Sequence, residues 1–151
     1  MNAVRIAFCY IQLIGITHVI TVLMGAPVFT DIFRTLFFSI YLVSIGFTPI
    51  IFSLQGNLTQ IYQFVFHDDS YGFRNFSKIA YRRFLMKNLI VGTIFGAWLG
   101  AIPIPLDWDR WWQRWPITCL VSSTLGALLS LPISYLYSFF QQSNKINKNL
   151  E

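Results

Sequence analysis

The feature that most constrains this chain is a succession of four long apolar windows with polar stretches between them. They run from Ile6 to Met24, Ile32 to Leu54, Asn88 to Leu106 and Pro116 to Phe140, and Arg34 is the one Lys, Arg, Asp or Glu inside them. Each has the length of a membrane-spanning helix, roughly 17–25 mostly apolar residues. Hydrocarbon offers the backbone no hydrogen-bonding partner, so an apolar segment that crosses it folds as a helix that satisfies its own N–H and C=O groups. The windows therefore predict an all-α, polytopic integral membrane protein: four transmembrane helices arranged as two hairpins, in a single membrane domain over residues 1–151. Composition agrees. Charged residues make up 11% of the chain, against about 25% in soluble domains, too few to cover a water-facing surface.

The windows differ in strength. The second holds twelve Leu, Ile, Val or Phe residues from Leu36 onward and the fourth holds eleven. At about 0.3–0.6 kcal/mol favourable for each near mid-bilayer, both insert unaided. The third has nine, with three glycines and two late prolines, and is expected to lean on its neighbours. Arg5 ahead of the first window resembles the start of a signal peptide. The apolar stretch is long, however, and lacks A-x-A spacing before Pro27, so retention as a span is expected. Cys9 and Cys119 lie inside windows and read as buried thiols rather than as a disulfide or metal framework.

Orientation follows from the basic residues. With four spans, the N-terminus, the 55–87 loop and the 141–151 tail share one side. That side carries Arg5, Arg74, Lys78, Arg82, Arg83, Lys87, Lys145 and Lys148, against Arg34, Arg110 and Arg114 opposite. The positive-inside rule places both termini and the middle loop in the cytoplasm. The sequons at Asn57 and Asn75 then stay unglycosylated, because the sugar is added on the lumenal side. Juxtamembrane placement also accounts for the net charge of +5 without nucleic acid as a partner.

Two rows of small residues suggest how the spans pack. Gly92, Gly96 and Gly100 recur at steps of four, and so do Thr118, Ser122, Gly126, Ser130, Ser134 and Ser138. Residues four apart share a helix face, and glycine admits a neighbouring backbone closely. Spans three and four are expected to pair through these rows. The second row drifts about 40° per step on a 3.6-residue helix, which suits a right-handed close crossing. In span one His18 lies at depth, where an ionisable residue is a functional candidate by default; the alternative is a neutral imidazole hydrogen-bonded to another helix. Gly15, His18, Thr21 and Gly25 are expected to face protein. Asp31 and Arg34 are spaced to pair on the first turn of span two.

The stretch "IPIPLDWDRWWQRWP", Ile102 to Pro116, is the most unusual in composition. Asp107-Trp108-Asp109 spells D-x-D, which in some glycosyltransferases holds a divalent metal and a sugar nucleotide. Three residues are a weak match, and among the acidic residues only Asp31 joins the pair on that side. An interfacial reading uses every residue type present. Tryptophans favour the headgroup layer, Pro103 and Pro105 end a helix, and the aspartates can pair with Arg110 or Arg114. Pro116 opens the next helix, where a missing N–H costs nothing. The result is a rigid, aromatic, charged loop suited to docking a protein. His67-Asp68-Asp69 reads as a polar turn. There is no Gly-rich phosphate loop, no activated Ser or Cys arrangement and no H-E-x-x-H. No internal repeat supports a transporter. No cofactor or metal is expected.

Two blocks carry a family resemblance: "HVITVLMGAP", His18 to Pro27, and "GAWLGAIPIPLDWDRWWQRWPITC", Gly96 to Cys119, with a weaker "LQGNL" after span two. They resemble the PIG-F family of glycosylphosphatidylinositol-anchor biosynthesis proteins. The resemblance implies a multi-pass endoplasmic reticulum protein. It would act as the non-catalytic, stabilising partner of large ethanolamine phosphate transferases of the PIG-O and PIG-G type. Those partners move phosphoethanolamine onto mannoses of the anchor precursor. Relatives have about two further spans ahead of the histidine-bearing one, so this chain looks N-terminally shortened. The tail has no dilysine or K-D-E-L signal, so retention would come from assembly with the partner. Candidate partner-binding residues are His18, Gly92, Gly96, Gly100, Asp107, Trp108, Asp109, Arg110, Trp115, Ser122, Gly126 and Ser130, with membrane lipid as a further partner. The alternatives are an enzyme using the Asp107/Asp109 loop and a lipid transporter.

Overall fold

The computed structural model describes residues 3–27, 31–66, 78–105 and 110–148, with the backbone alone for 78–80 and 141–148. The described residues are helical, with no strand among them. Helix α1 is Ala3–Leu23. The second span is α2, Ile32–Leu42, a π turn at Val43–Phe47, and α3, Thr48–Ser53. A short α4, Leu58–Phe66, precedes α5, Lys78–Ala101. A 3₁₀ turn at Trp111–Gln113 leads into α6, Ile117–Lys148. Among the described residues four stretches are long and apolar enough to cross a bilayer: Ala3–Leu23, Ile32–Ser53, Tyr81–Ala101 and Ile117–Phe140.

The helices follow the windows except at their ends, where helix formation and hydrophobicity have different limits. α5 begins ten residues before its window, because Arg82, Arg83 and Lys87 are good helix formers that lower hydropathy without breaking a helix. It stops at Ala101 rather than Leu106. Pro103 lacks an N–H and disfavours the α conformation at the residue before it, so Ile102 to Pro105 form turns instead. α6 likewise continues past Phe140 into the polar tail.

The expected loop at 55–87 contains a helix of its own. Asn57 opens α4: its backbone carbonyl accepts from Ile61 N at 3.0 Å and its side-chain oxygen accepts from Gln60 N at 3.4 Å. Leu58, Ile61 and Val65, spaced three and four apart, give α4 one apolar face. Ile61 is buried against Ile6, Cys9 and Leu13 of α1 and Ile90 of α5. The turn before α4 requires glycine at Gly56, where φ is +70° and an added Cβ would stand 2.8 Å from the carbonyl oxygen of Arg5. The start of α1 and the α3–α4 turn therefore lie at the same end of the bundle.

Two hairpins make up the bundle. α1 packs on α2 and α3; α5 packs on α6 in the most extensive pairing of the molecule. The π turn joins them: Gly46 lies against Thr93 of α5, 3.4 Å from an added Cβ to Thr93 Cβ. Several buried hydroxyls return to their own helices, while that of Thr118 is enclosed without a hydrogen-bond partner among the described residues. Ser39 donates to Thr35 O at 2.9 Å, Thr93 to Leu89 O at 2.7 Å and Ser134 to Ser130 O at 2.7 Å. An interior without water favours such bonds, since an unmatched hydroxyl there is costly. Large apolar side chains such as Phe8, Phe33, Phe95, Val121 and Leu125 face outward, the pattern of a protein solvated by lipid. Cys9 and Cys119 are free and buried.

Candidate functional site

The small-residue rows meet each other. A Cβ on Gly92 would stand 2.5 Å from Gly126 O, and one on Gly100 would stand 2.6 Å from Thr118 O and 2.7 Å from Cys119 Cα. A Cβ on Gly96 would overlap the carbonyl of Ser122, and one on Gly126 the carbonyl of Gly92. Ser130 Cβ closes the seam beside Gly92. Two backbones thus touch directly over three successive turns, an approach that only glycine on α5 permits. The expected pairing of spans three and four through these rows is present within the chain. Beyond Gly92 the contact continues through Asn88, whose side-chain nitrogen donates to Ser134 Oγ at 3.0 Å. Further along, Phe84 stacks on Tyr137 with ring centroids 4.3 Å apart. The hydroxyl of Ser138, the last residue of the row, donates to Tyr135 O at 2.7 Å.

The described parts of the tryptophan-rich stretch, 102–105 and 110–116, lie at the opposite end from Arg5. Asp107, Trp108 and Asp109 fall outside the described residues, as do His67-Asp68-Asp69 and Asn75. Arg110 and Trp111 are exposed, Trp111 by 72%. Trp115 instead points into the bundle. Its indole Nε1 donates to Thr35 Oγ1 at 3.1 Å, and its ring meets Phe38 edge-on at 5.3 Å between centroids. Thr35 is fully buried, and its hydroxyl also lies 3.1 Å from Asp31 O. Sequence reasoning missed Gln113. It is buried, accepts from Arg110 N at 2.9 Å and donates to Pro103 O at 2.8 Å. One side chain thereby ties the start of the 3₁₀ turn to the turn that ends α5. The Trp115–Pro116 peptide is cis. Pro116 precedes α6 rather than beginning it, and its carbonyl accepts from Leu120 N at 2.9 Å.

The remaining candidates are in the first hairpin. Asp31 and Arg34 pair as expected, at 3.0 Å. His18 is half-buried; its Nδ1 is enclosed without a hydrogen-bond partner among the described residues, while its backbone carbonyl accepts from Thr21 Oγ1 at 2.8 Å. The face shared by Gly15, His18 and Thr21 covers less protein than expected. Nothing lies within 4 Å of a Cβ on Gly15; the buried residues of α1, Ile6, Cys9 and Leu13, cluster instead with Val43 of the π turn and Ile50 and Ile51 of α3. Among the described residues no group of three His, Cys, Asp or Glu side chains is placed to hold a metal.

Comparison with known proteins places this architecture. The family described as "GPI biosynthesis protein family Pig-F" matches residues 1–135. The glycosylphosphatidylinositol anchor biosynthesis protein 11 of Candida albicans is 37% identical over 122 residues, covering 81% of this chain and 43% of its own. The mouse GPI ethanolamine phosphate transferase, stabilizing subunit, is 33% identical over 98% of this chain and 64% of its own. The human protein of the same name is 36% identical over 87% of this chain and 57% of its own. The chain thus spans about half to two thirds of the length of these relatives. No solved structure matches it. With a family match over nine tenths of its length, on the residues that build the glycine seam and anchor Trp115, the chain belongs to the Pig-F family of GPI biosynthesis proteins.

Proposed function

We propose that this chain is an accessory, non-catalytic membrane subunit of a GPI ethanolamine phosphate transferase, supporting phosphoethanolamine addition to mannoses of the anchor precursor. The observation that carries the reading is the alignment of nearly the whole chain with a mouse protein named as the stabilizing subunit of that enzyme. The seam supports it from the other direction. Its small residues are spent on holding α5 to α6, so the faces left for a partner are the exposed end around Arg110 and Trp111 and the outward apolar surfaces. The partner is a multi-pass catalytic subunit of the PIG-O or PIG-G type. The complex resides in the endoplasmic reticulum membrane with the Arg5 end in the cytoplasm and the tryptophan-rich end in the lumen.

The test is complementation. Cells lacking their own Pig-F subunit receive this chain together with tagged transferases. The expected result is recovery of transferase level, co-capture in mild detergent, and restored phosphoethanolamine on GPI precursors. Unchanged transferase levels with no co-capture, from a chain that is expressed and inserted, would refute the reading.

A further inference from the structure

Between α1 and α5, above α4, the bundle leaves an apolar chamber of about 1330 Å³ that is open along one side, with Ile16, Ile20, Ile94 and Trp98 each about half exposed. Ile16, Ile20 and Met24 form one wall, Ile94 and Trp98 the facing wall, and Phe38 lies at the back. None of the lining residues is charged. Two of its polar side chains are already engaged, Thr21 with His18 O and Trp115 with Thr35. Such a space is too apolar to hold ordered water, which needs several polar partners per molecule. Inside a bilayer it fills with hydrocarbon or with a side of another protein.

Its length separates these occupants. One end is closed by α4, whose Ile61 packs at the level of Leu13 and Ile90. The other is bounded by Pro27, Ile104, Pro105 and Trp115. Along α5 the lining runs from Ile90 to Ala101, about 16 Å at 1.5 Å per residue. A spanning helix needs the full ~30 Å of hydrocarbon, and one leaflet supplies about half of that. The chamber is one leaflet deep. Charge fits as well. Arg34 lies one helical turn beyond Phe38 on the same stripe of α2, exposed and paired at 3.0 Å with Asp31. A guanidinium at the Trp115 end is placed for a phosphate at headgroup level.

We propose that this chamber is a lipid site: it takes the acyl chains of a phospholipid from the leaflet at the Trp115 end, with the phosphate at Arg34. The site is independent of whether the chain stabilises a transferase.

The full chain is reconstituted with a phosphatidylcholine that carries a diazirine in mid-chain, purified into mild detergent, and only then illuminated, so that retained lipid alone reacts. Expected are a single retained lipid per chain by native mass spectrometry and label on Ile16, Ile20, Ile94 or Trp98. Ile94→Trp, which projects a larger ring into the space and obstructs it, should lower labelling at least ~5-fold, a shift of about 1 kcal/mol. Val121→Trp on the outer surface should not. Should Ile94→Trp lose helicity, Ile20→Trp obstructs the chamber from the facing wall. Arg34→Gln should weaken retention several-fold. Label confined to outer faces, equal labelling of the obstructed variant, or a helical chain that retains no lipid would each overturn the proposal. Loss of chamber label when a transferase is bound would assign the space to a partner helix and would overturn it too.

Discussion

A Cβ added to Gly126 would fall on the carbonyl oxygen of Gly92, so these two glycines hold α5 and α6 backbone to backbone. The neighbouring contacts at Gly96 and Gly100 are of the same kind, and no side chain intervenes to yield. Introducing bulk therefore separates helices instead of rearranging rotamers.

Gly96→Leu and Gly126→Leu are expected to destabilise the hairpin by more than the ~1–3 kcal/mol of ordinary overpacking, since the atoms met are main chain. Gly15→Leu, where an added Cβ meets nothing, is the matched control. Thermal unfolding in detergent, with protease resistance as a second readout, checks the contrast. Equal loss in the control would remove the seam as the cause.

Thr35→Val removes the acceptor for Trp115 Nε1, and Trp115→Phe removes the donor while keeping most of the ring. Each should cost about 0.5–1.5 kcal/mol. The double variant should cost less than their sum, because the residues share one bond. An additive double-mutant cycle would show that the indole nitrogen is not bound there.

Asn88→Leu leaves Ser134 Oγ with its donation to Ser130 O and no donor of its own. Hydrogen bonds between membrane helices average about 0.6 kcal/mol, so a small loss is expected, well below that of Gly96→Leu. A larger loss than from the glycine would reverse the order of importance along the hairpin.

Gly56→Ala forces a side chain onto φ +70° beside the Arg5 carbonyl. The expected cost is about 1–3 kcal/mol, with α4 loosened from Ile6 and Leu13. Faster proteolysis between Ser53 and Leu58 would report it, and unchanged kinetics would count against the tight turn.

Both native thiols are buried, so single cysteines can report orientation. In sealed microsomes Arg82→Cys should react with an impermeant maleimide from outside, and Arg110→Cys only after permeabilisation. The reverse pattern would invert the proposed topology.

Much of this arrangement was readable from residue order, and the exceptions have physical causes. The seam was legible because four-residue steps of Gly and Ser translate directly into a bare helix face. The Asp31–Arg34 pair was legible because three residues place both on one turn. Trp115 was not. Its composition-based place is the headgroup layer with Trp111, and only the fold brings Thr35 to it from 80 positions away. Gln113 was missed for a similar reason: its partner at Pro103 depends on how the α5 turn ends. α4 was hidden because Leu58, Ile61 and Val65 are too few to make a span, yet enough to cap one. The chamber has no signature in the chain order at all, since it is a gap between α1 and α5.

The seam has one more consequence, for assembly. Because small residues repeat every fourth place on both helices, sliding α6 past α5 by one residue drives a side chain into main chain. Sliding by four residues, about 6 Å at 1.5 Å per residue, sets a small residue against each glycine again. Mispairing of this hairpin is thus quantised. The zipper of glycines determines how near the helices come, while the vernier that selects one notch among equals is polar: Asn88 to Ser134 at one end, Gln113 to Pro103 at the other.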